Sequence, residues 1–200
     1  MRRTRVKLAI GVALLAVVVT TAAAVAGGGG KSKARLSGFE EVPAVITDAG
    51  GSFKARISRT TDEISYELSY AGLEGGETRQ AHIHVGQRLA NGGIAAWLCD
   101  SAANPAPAPV DVPTCPASGT VTGTIRPADV RPVEPQGLRV EPRDTAESRF
   151  DDLVRALRSG LAYANVHTEF SPGGEIRGQI GDKGHHGHHR GNGHGDHDDD

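Results

Sequence analysis

The sequence predicts an all-β domain, an immunoglobulin-like or Greek-key β-sandwich or barrel with one short helix. Three observations carry this. Short runs of alternating apolar and polar residues recur between turn signals. Glycine and proline are frequent, at 27 and 11 of 200 residues, so the chain turns often. A single segment repeats its apolar residues at helical spacing. Glycine shows no third-residue period, which excludes collagen, and the only long apolar stretch is N-terminal, which excludes a multi-span membrane protein.

In chain order, Arg2, Arg3, Arg5 and Lys7 precede the apolar run Leu8 to Val19. Ala24-Val25-Ala26 then has the small-x-small form of a signal-peptidase site. Residues 1–26 are therefore read as a signal peptide cleaved near Ala26, with a retained anchor as the alternative. The Arg2-Arg3 pair lacks the residues that usually follow a twin-arginine signal, so general secretion is expected. The whole chain carries a net charge of −2, and without the leader 18 basic side chains face 24 acidic ones. That balance argues against a nucleic-acid partner.

Residues 27–35 read as a Gly-rich linker, and the domain is placed at 36–181. Phe53, Ala55 and Ile57 alternate with polar neighbours, as do Ile64, Tyr66, Leu68 and Tyr70 after a turn at Thr60–Asp62. The pattern is a hairpin with one buried face. Further strands are expected at Gln80–Val85, Ile94–Leu98 and Gly119–Arg126. Between them, Cys99 and Cys115 are the only cysteines and are expected to form a disulfide around an extended, poorly self-ordering Pro-rich loop. Such a bridge ties a peripheral loop.

Residues 127–143 carry four prolines and are expected to be irregular. Phe150, Leu153, Val154 and Leu157 then fall at i, i+3, i+4 and i+7, the stripe of an amphipathic helix. Asp144 and Glu147 supply a capping-box start and Gly160 the stop. Leu161–Phe170 and Glu175–Ile180 make a final hairpin across Ser171-Pro172-Gly173-Gly174, a type II turn signature. Residues 182–200 hold nothing apolar to bury and are expected to be disordered.

Two features bear on chemistry. His82 and His84 flank Ile83 on one strand, so both imidazoles take the same face. Tyr163, Asn165 and His167 share a face of a later strand. If the two strands are neighbours, His82, His84 and His167 form a three-nitrogen site suited to copper or zinc, with water or Glu175 in a fourth position. The competing reading is a polar network in which Asn165, Glu175 and Arg177 satisfy the histidines and lock the register. The second feature is the tail. His185, His186, His188, His189, His194 and His197 stand among five aspartates, a donor set that attracts divalent metal ions. No nucleophile elbow or phosphate loop is present, and the Asp151-Asp152 pair lies on a solvated helix face.

Ala81-His82-Ile83-His84 with Gly86, Leu36-Ser37-Gly38-Phe39-Glu40-Glu41-Val42-Pro43, Asn165-Val166-His167-Thr168 and Gly174-Glu175-Ile176-Arg177-Gly178-Gln179 occur in one order. In these motifs the chain resembles the chordin-type (CHRD) domain over about residues 36–180. Ala44 stands where the family pattern has a second proline. The resemblance implies an extracellular all-β module of immunoglobulin-like architecture, of the kind that accompanies growth-factor-binding regions in animal chordins. A looser similarity, to copper–zinc superoxide dismutases, lies in the His-x-His strand, the later histidine, the barrel and the disulfide. The dense histidine and aspartate zinc loop of those enzymes is missing.

The expectation is a secreted, non-catalytic CHRD binding or structural module, monomeric or weakly associating, with a metal-attracting tail. Its partner would be an extracellular protein or a cell-envelope ligand. The alternative is a copper- or zinc-binding protein, or a dismutase-like metalloenzyme, using His82, His84 and His167.

Overall fold

Alternation of side chains along extended backbone puts every second residue of a strand into one core, and eight segments of this chain do so. The structure is a computed structural model that describes residues 30–58, 60–138 and 144–181. The signal segment, residues 27–29 of the linker and the tail 182–200 lie outside the described residues.

The strands are β1 (Lys31–Ser37), β2 (Gly50–Ile57), β3 (Ile64–Ala71), β4 (Thr78–Val85), β5 (Gly93–Cys99), β6 (Gly119–Ile125), β7 (Ala162–Thr168) and β8 (Ile176–Ile180). They form one antiparallel sheet in the order β5-β4-β7-β8-β1-β2-β3-β6. Of the sandwich and barrel alternatives, the fold takes the barrel: a single sheet curls until β5 and β6 nearly meet. Phe53, Ile64, Leu68, Ile83, Leu98, Ile125, Val166, Ile176 and Ile180 fill its core.

No ladder bonds join β5 to β6. Three other links close that seam. Cys99 at the end of β5 is bridged to Cys115. The Tyr66 hydroxyl donates to the Leu98 carbonyl at 2.6 Å, and the Tyr70 hydroxyl donates to the Pro116 carbonyl at 2.8 Å. The disulfide is thus no clip on a peripheral loop, because Cys99 is fully buried within the core and its bridge holds the barrel shut. The Pro-rich loop is ordered as well. The Asp100 carboxylate accepts from the Ala106 N–H, and Arg79 and Gln80 of β4 donate to Asn104.

Three further expectations change. The linker reading fails from Lys31 on, since Lys31–Ser37 pairs residue by residue with β2. The helix, α1 (Ala146–Arg158), buries the expected stripe of Phe150, Leu153, Val154 and Leu157. Its cap, however, is Thr145, whose hydroxyl accepts from the Ser148 N–H while Ser148 reaches back to the Thr145 N–H. Asp144 instead pairs with Arg149 at 2.6 Å. In the last hairpin, the Gly174 N–H donates to the Ser171 carbonyl as a turn requires, but the left-handed residue is Gly174 (φ +123°) rather than Gly173. A type II turn would put it at Gly173. The stretch 127–138 is irregular as expected, with 3-10 turns at Pro127–Asp129 and Glu134–Gln136, and it buries Val130, Val133 and Leu138.

Candidate metal centre

β4 and β7 are neighbours in register, with His82 opposite Asn165, His84 opposite Tyr163 and Gln80 opposite His167. Ala81, Ile83, Ala164 and Val166 of these strands join the aliphatic core, so the alternating histidines face the other way. Loops roof that second face. His82, His84 and His167 are consequently only 2%, 6% and 9% exposed.

The three rings converge. One nitrogen from each lies within 4.8 Å of the others. Their hydrogen bonds assign the tautomers. The carbonyl of Gly92 lies 2.9 Å from His84 Nδ1, and that of Pro172 lies 3.0 Å from His167 Nδ1. A carbonyl only accepts, so both rings carry the proton on Nδ1 and turn an Nε2 lone pair inward. His167 Nε2 then accepts from His82 Nδ1 at 3.1 Å. His82 Nε2 and His84 Nε2 are buried without a partner.

Burial keeps the cluster neutral. His82 is pushed down to about 2 by desolvation, reinforced by the other two imidazoles. His84 is pushed down to about 4 by desolvation, against the Gly92 carbonyl and with help from His167 and Arg177. His167 is lowered chiefly by desolvation, partly offset by the Pro172 carbonyl. Neutral, carbonyl-oriented imidazoles are the form that ligates metal, and such backing carbonyls fix ring orientation at metal sites.

Aromatic and cationic groups frame the cluster. Tyr163 stacks on His84 with ring planes 3° apart and centroids 4.8 Å apart. Arg177 sits 4.5 Å from the Tyr163 centroid on a cation–π contact. Trp97 meets His82 edge-on at 5.1 Å. The peptide of Gly92 holds both layers, because its N–H donates to the Tyr163 hydroxyl and its carbonyl accepts from His84. A Cβ at position 92 would stand 1.6 Å from the Val85 carbonyl oxygen, so glycine is required there.

The residues expected to satisfy the histidines do something else. The Glu175 carboxylate accepts from the Thr47 and Thr168 hydroxyls and from the Glu74 and Gly75 N–H groups. Burial would raise this acid, but those four donors outweigh it and hold Glu175 below the usual range. With its acceptors so engaged, Glu175 is not placed to serve as a fourth ligand. Asn165 donates to Glu41 at 2.5 Å and to the Ile176 carbonyl at 3.0 Å. Arg177 donates to the Glu40 and Ala90 carbonyls and to Asn91. These three residues pin loops over the site without a hydrogen bond to an imidazole. Glu41, which the sequence did not single out, is raised to about 7 by burial, against Asn165 and Arg177. The six tail histidines lie outside the described residues.

The CHRD domain family model matches residues 32–180. The chain belongs to the CHRD domain family. The match starts four residues before the boundary read from the sequence, inside the strand that reading had assigned to the linker. No curated protein and no solved structure matches the chain. Membership of the CHRD family points to a binding or structural module, and the buried disulfide suits an oxidising compartment.

In metal chemistry, nitrogens bound at about 2.05 Å to one tetrahedral ion lie about 3.3 Å apart. The candidate nitrogens of the three rings lie within 4.8 Å of one another, so the rings would draw closer to share an ion. Imidazole donors suit zinc and copper, and among the described residues no carboxylate joins the cluster.

Proposed function

We propose that this CHRD protein is an exported, non-catalytic binding or structural module whose domain holds one copper or zinc ion on His82, His84 and His167. The observation that carries the reading is the pair of buried, unpartnered Nε2 atoms of His82 and His84. Native structures rarely bury such atoms empty-handed, and a ligand that supplies the missing partner accounts for them. The ion would also relieve the cost of packing three imidazoles together.

The N-terminal leader supports export, and the histidine-rich tail supports a second, looser metal-attracting segment. The partner would be an extracellular protein or a cell-envelope ligand, to be sought by pull-down from envelope and medium. The dismutase-like alternative rests on the same three ligands and gains no further observation.

The deciding experiment uses the full chain, exported through its own leader, with all six tail histidines changed to serine. Elemental analysis should find near one copper or zinc per chain, lost in His82→Ala and His167→Ala variants that remain folded. Folded protein free of metal under copper- and zinc-replete growth would leave the CHRD module without its proposed ion.

A further inference from the structure

The outer face of β1 and β2 is a one-sign surface on a chain that is acidic overall. Lys31, Lys33 and Arg35 alternate along β1 and are exposed, as are Lys54 and Arg56 on β2. The register sets like charges opposite one another, Lys31 against Arg56 and Lys33 against Lys54. Like charges placed opposite one another repel, and an anionic cover relieves that repulsion. Glu67, ion-paired with Lys54 at 2.6 Å, is the one acidic residue in β1, β2, β3 and β6. A groove of about 600 Å³ crosses this face, lined by Lys31, Lys33, Lys54, Arg56 and Glu67 among others.

The chain supplies its own candidate. Gly181, the last described residue, exchanges backbone hydrogen bonds with Lys33 in both directions, at 3.1 and 3.2 Å. β8 runs antiparallel to β1, from Arg177 opposite Ser37 towards the Lys31 end. The segment that carries Asp196, Asp198, Asp199 and Asp200 therefore leaves the barrel at the edge of the basic face. Asp198 lies 17 residues beyond Gly181, a length that reaches up to about 60 Å when extended. The cation row on β1 is only about 13 Å long. Tethering keeps the effective concentration of the acidic group high at this face.

We infer that the C-terminal aspartates dock on the β1–β2 face of the same molecule and cover its cations against other polyanions. The test compares backbone amide spectra of the full chain and of an Asp198→Asn/Asp199→Asn/Asp200→Asn variant. Outside the tail itself, differences should be confined to residues 31–35 and 54–56, independent of protein concentration. They should vanish in about 0.5 M NaCl, where the screening length falls to ~4 Å. A Lys54→Glu/Arg56→Glu background, altered only at exposed positions, should lose the difference. Identical spectra at this face, or differences in the domain that map elsewhere or grow with protein concentration, overturn the inference. So does equal uptake of heparin by both chains, which would mark the face as open to an external polyanion.

Discussion

His82 Nδ1 lies 3.1 Å from His167 Nε2, a hydrogen bond between two buried neutral imidazoles 85 residues apart in the chain. All three cluster histidines take up protons more readily unfolded than folded. Below the unfolded value near 6.5, each lowers stability by about 1.4 kcal/mol per pH unit, down towards its own folded value. Glu41 acts in the opposite sense. Raised to about 7, it stays protonated in the fold and costs stability as pH rises from 4.5 through 7.

With three histidines against one glutamate, urea titrations of chelator-treated protein should lose stability as pH falls from 6.5 towards 4.5. His82 and His84 net of Glu41 give a slope of about 1.4 kcal/mol per pH unit, and His167, lowered by burial, steepens it. The window closes for His84 near 4, where it charges in the fold. Stability that is flat or rises over this range would contradict the buried neutral cluster.

Metal occupancy should report through the protein's only tryptophan. Trp97 touches His82, so copper(II) bound by the cluster should quench its fluorescence. Protons should compete only well below pH 6.5, because His82 and His84 are held near 2 and 4. Exposed imidazoles release metal nearer ~6.5. Quenching that persists at pH 5.5 and disappears in His84→Ala assigns the ion to the domain; quenching lost at pH 6 assigns it elsewhere.

Gly174→Val should destabilise by at least about 2 kcal/mol. Its φ of +123° suits glycine, and a Cβ would stand 2.4 Å from Asn165 Nδ2 and 2.5 Å from Glu41 Oε1. The chemical melt should shift and the loop carrying Glu41 should lose amide protection. An unchanged melt would remove the close approach assigned to Gly174.

Reducing the Cys99–Cys115 bridge should cost about 3 kcal/mol, as expected for a sequence separation of 16. Tyr66→Phe, which leaves the buried Leu98 carbonyl without its donor, should cost a further ~1–2 kcal/mol. Because both act on one seam, their effects should be non-additive in a double cycle. Simple additivity would show that the seam does not close as a unit.

The strands were legible wherever apolar residues alternated with polar ones, as at Phe53–Ile57 and Ile64–Tyr70. β1 escaped because its inward residues at 32 and 34 are serine and alanine and its outward ones are cationic. That pattern is the composition of a linker, and only pairing with β2 reveals the strand. The three histidines could be grouped from period two on each strand. Their orienting partners could not, because the carbonyls of Gly92 and Pro172 belong to the backbone and leave no mark in residue type. Trp97 was hidden by register shifts between β4 and β5, which break simple counting across the pair.

The pairing of β4 with β7 has a consequence for the order of events. His82 and His84 are synthesised long before His167, and the helix α1 and two Pro-rich excursions intervene. No partial chain that lacks β7 can present three imidazoles to one ligand. An ion that needs all three could be captured only once β7 has joined β4, so its occupancy would certify completed folding rather than guide its early steps.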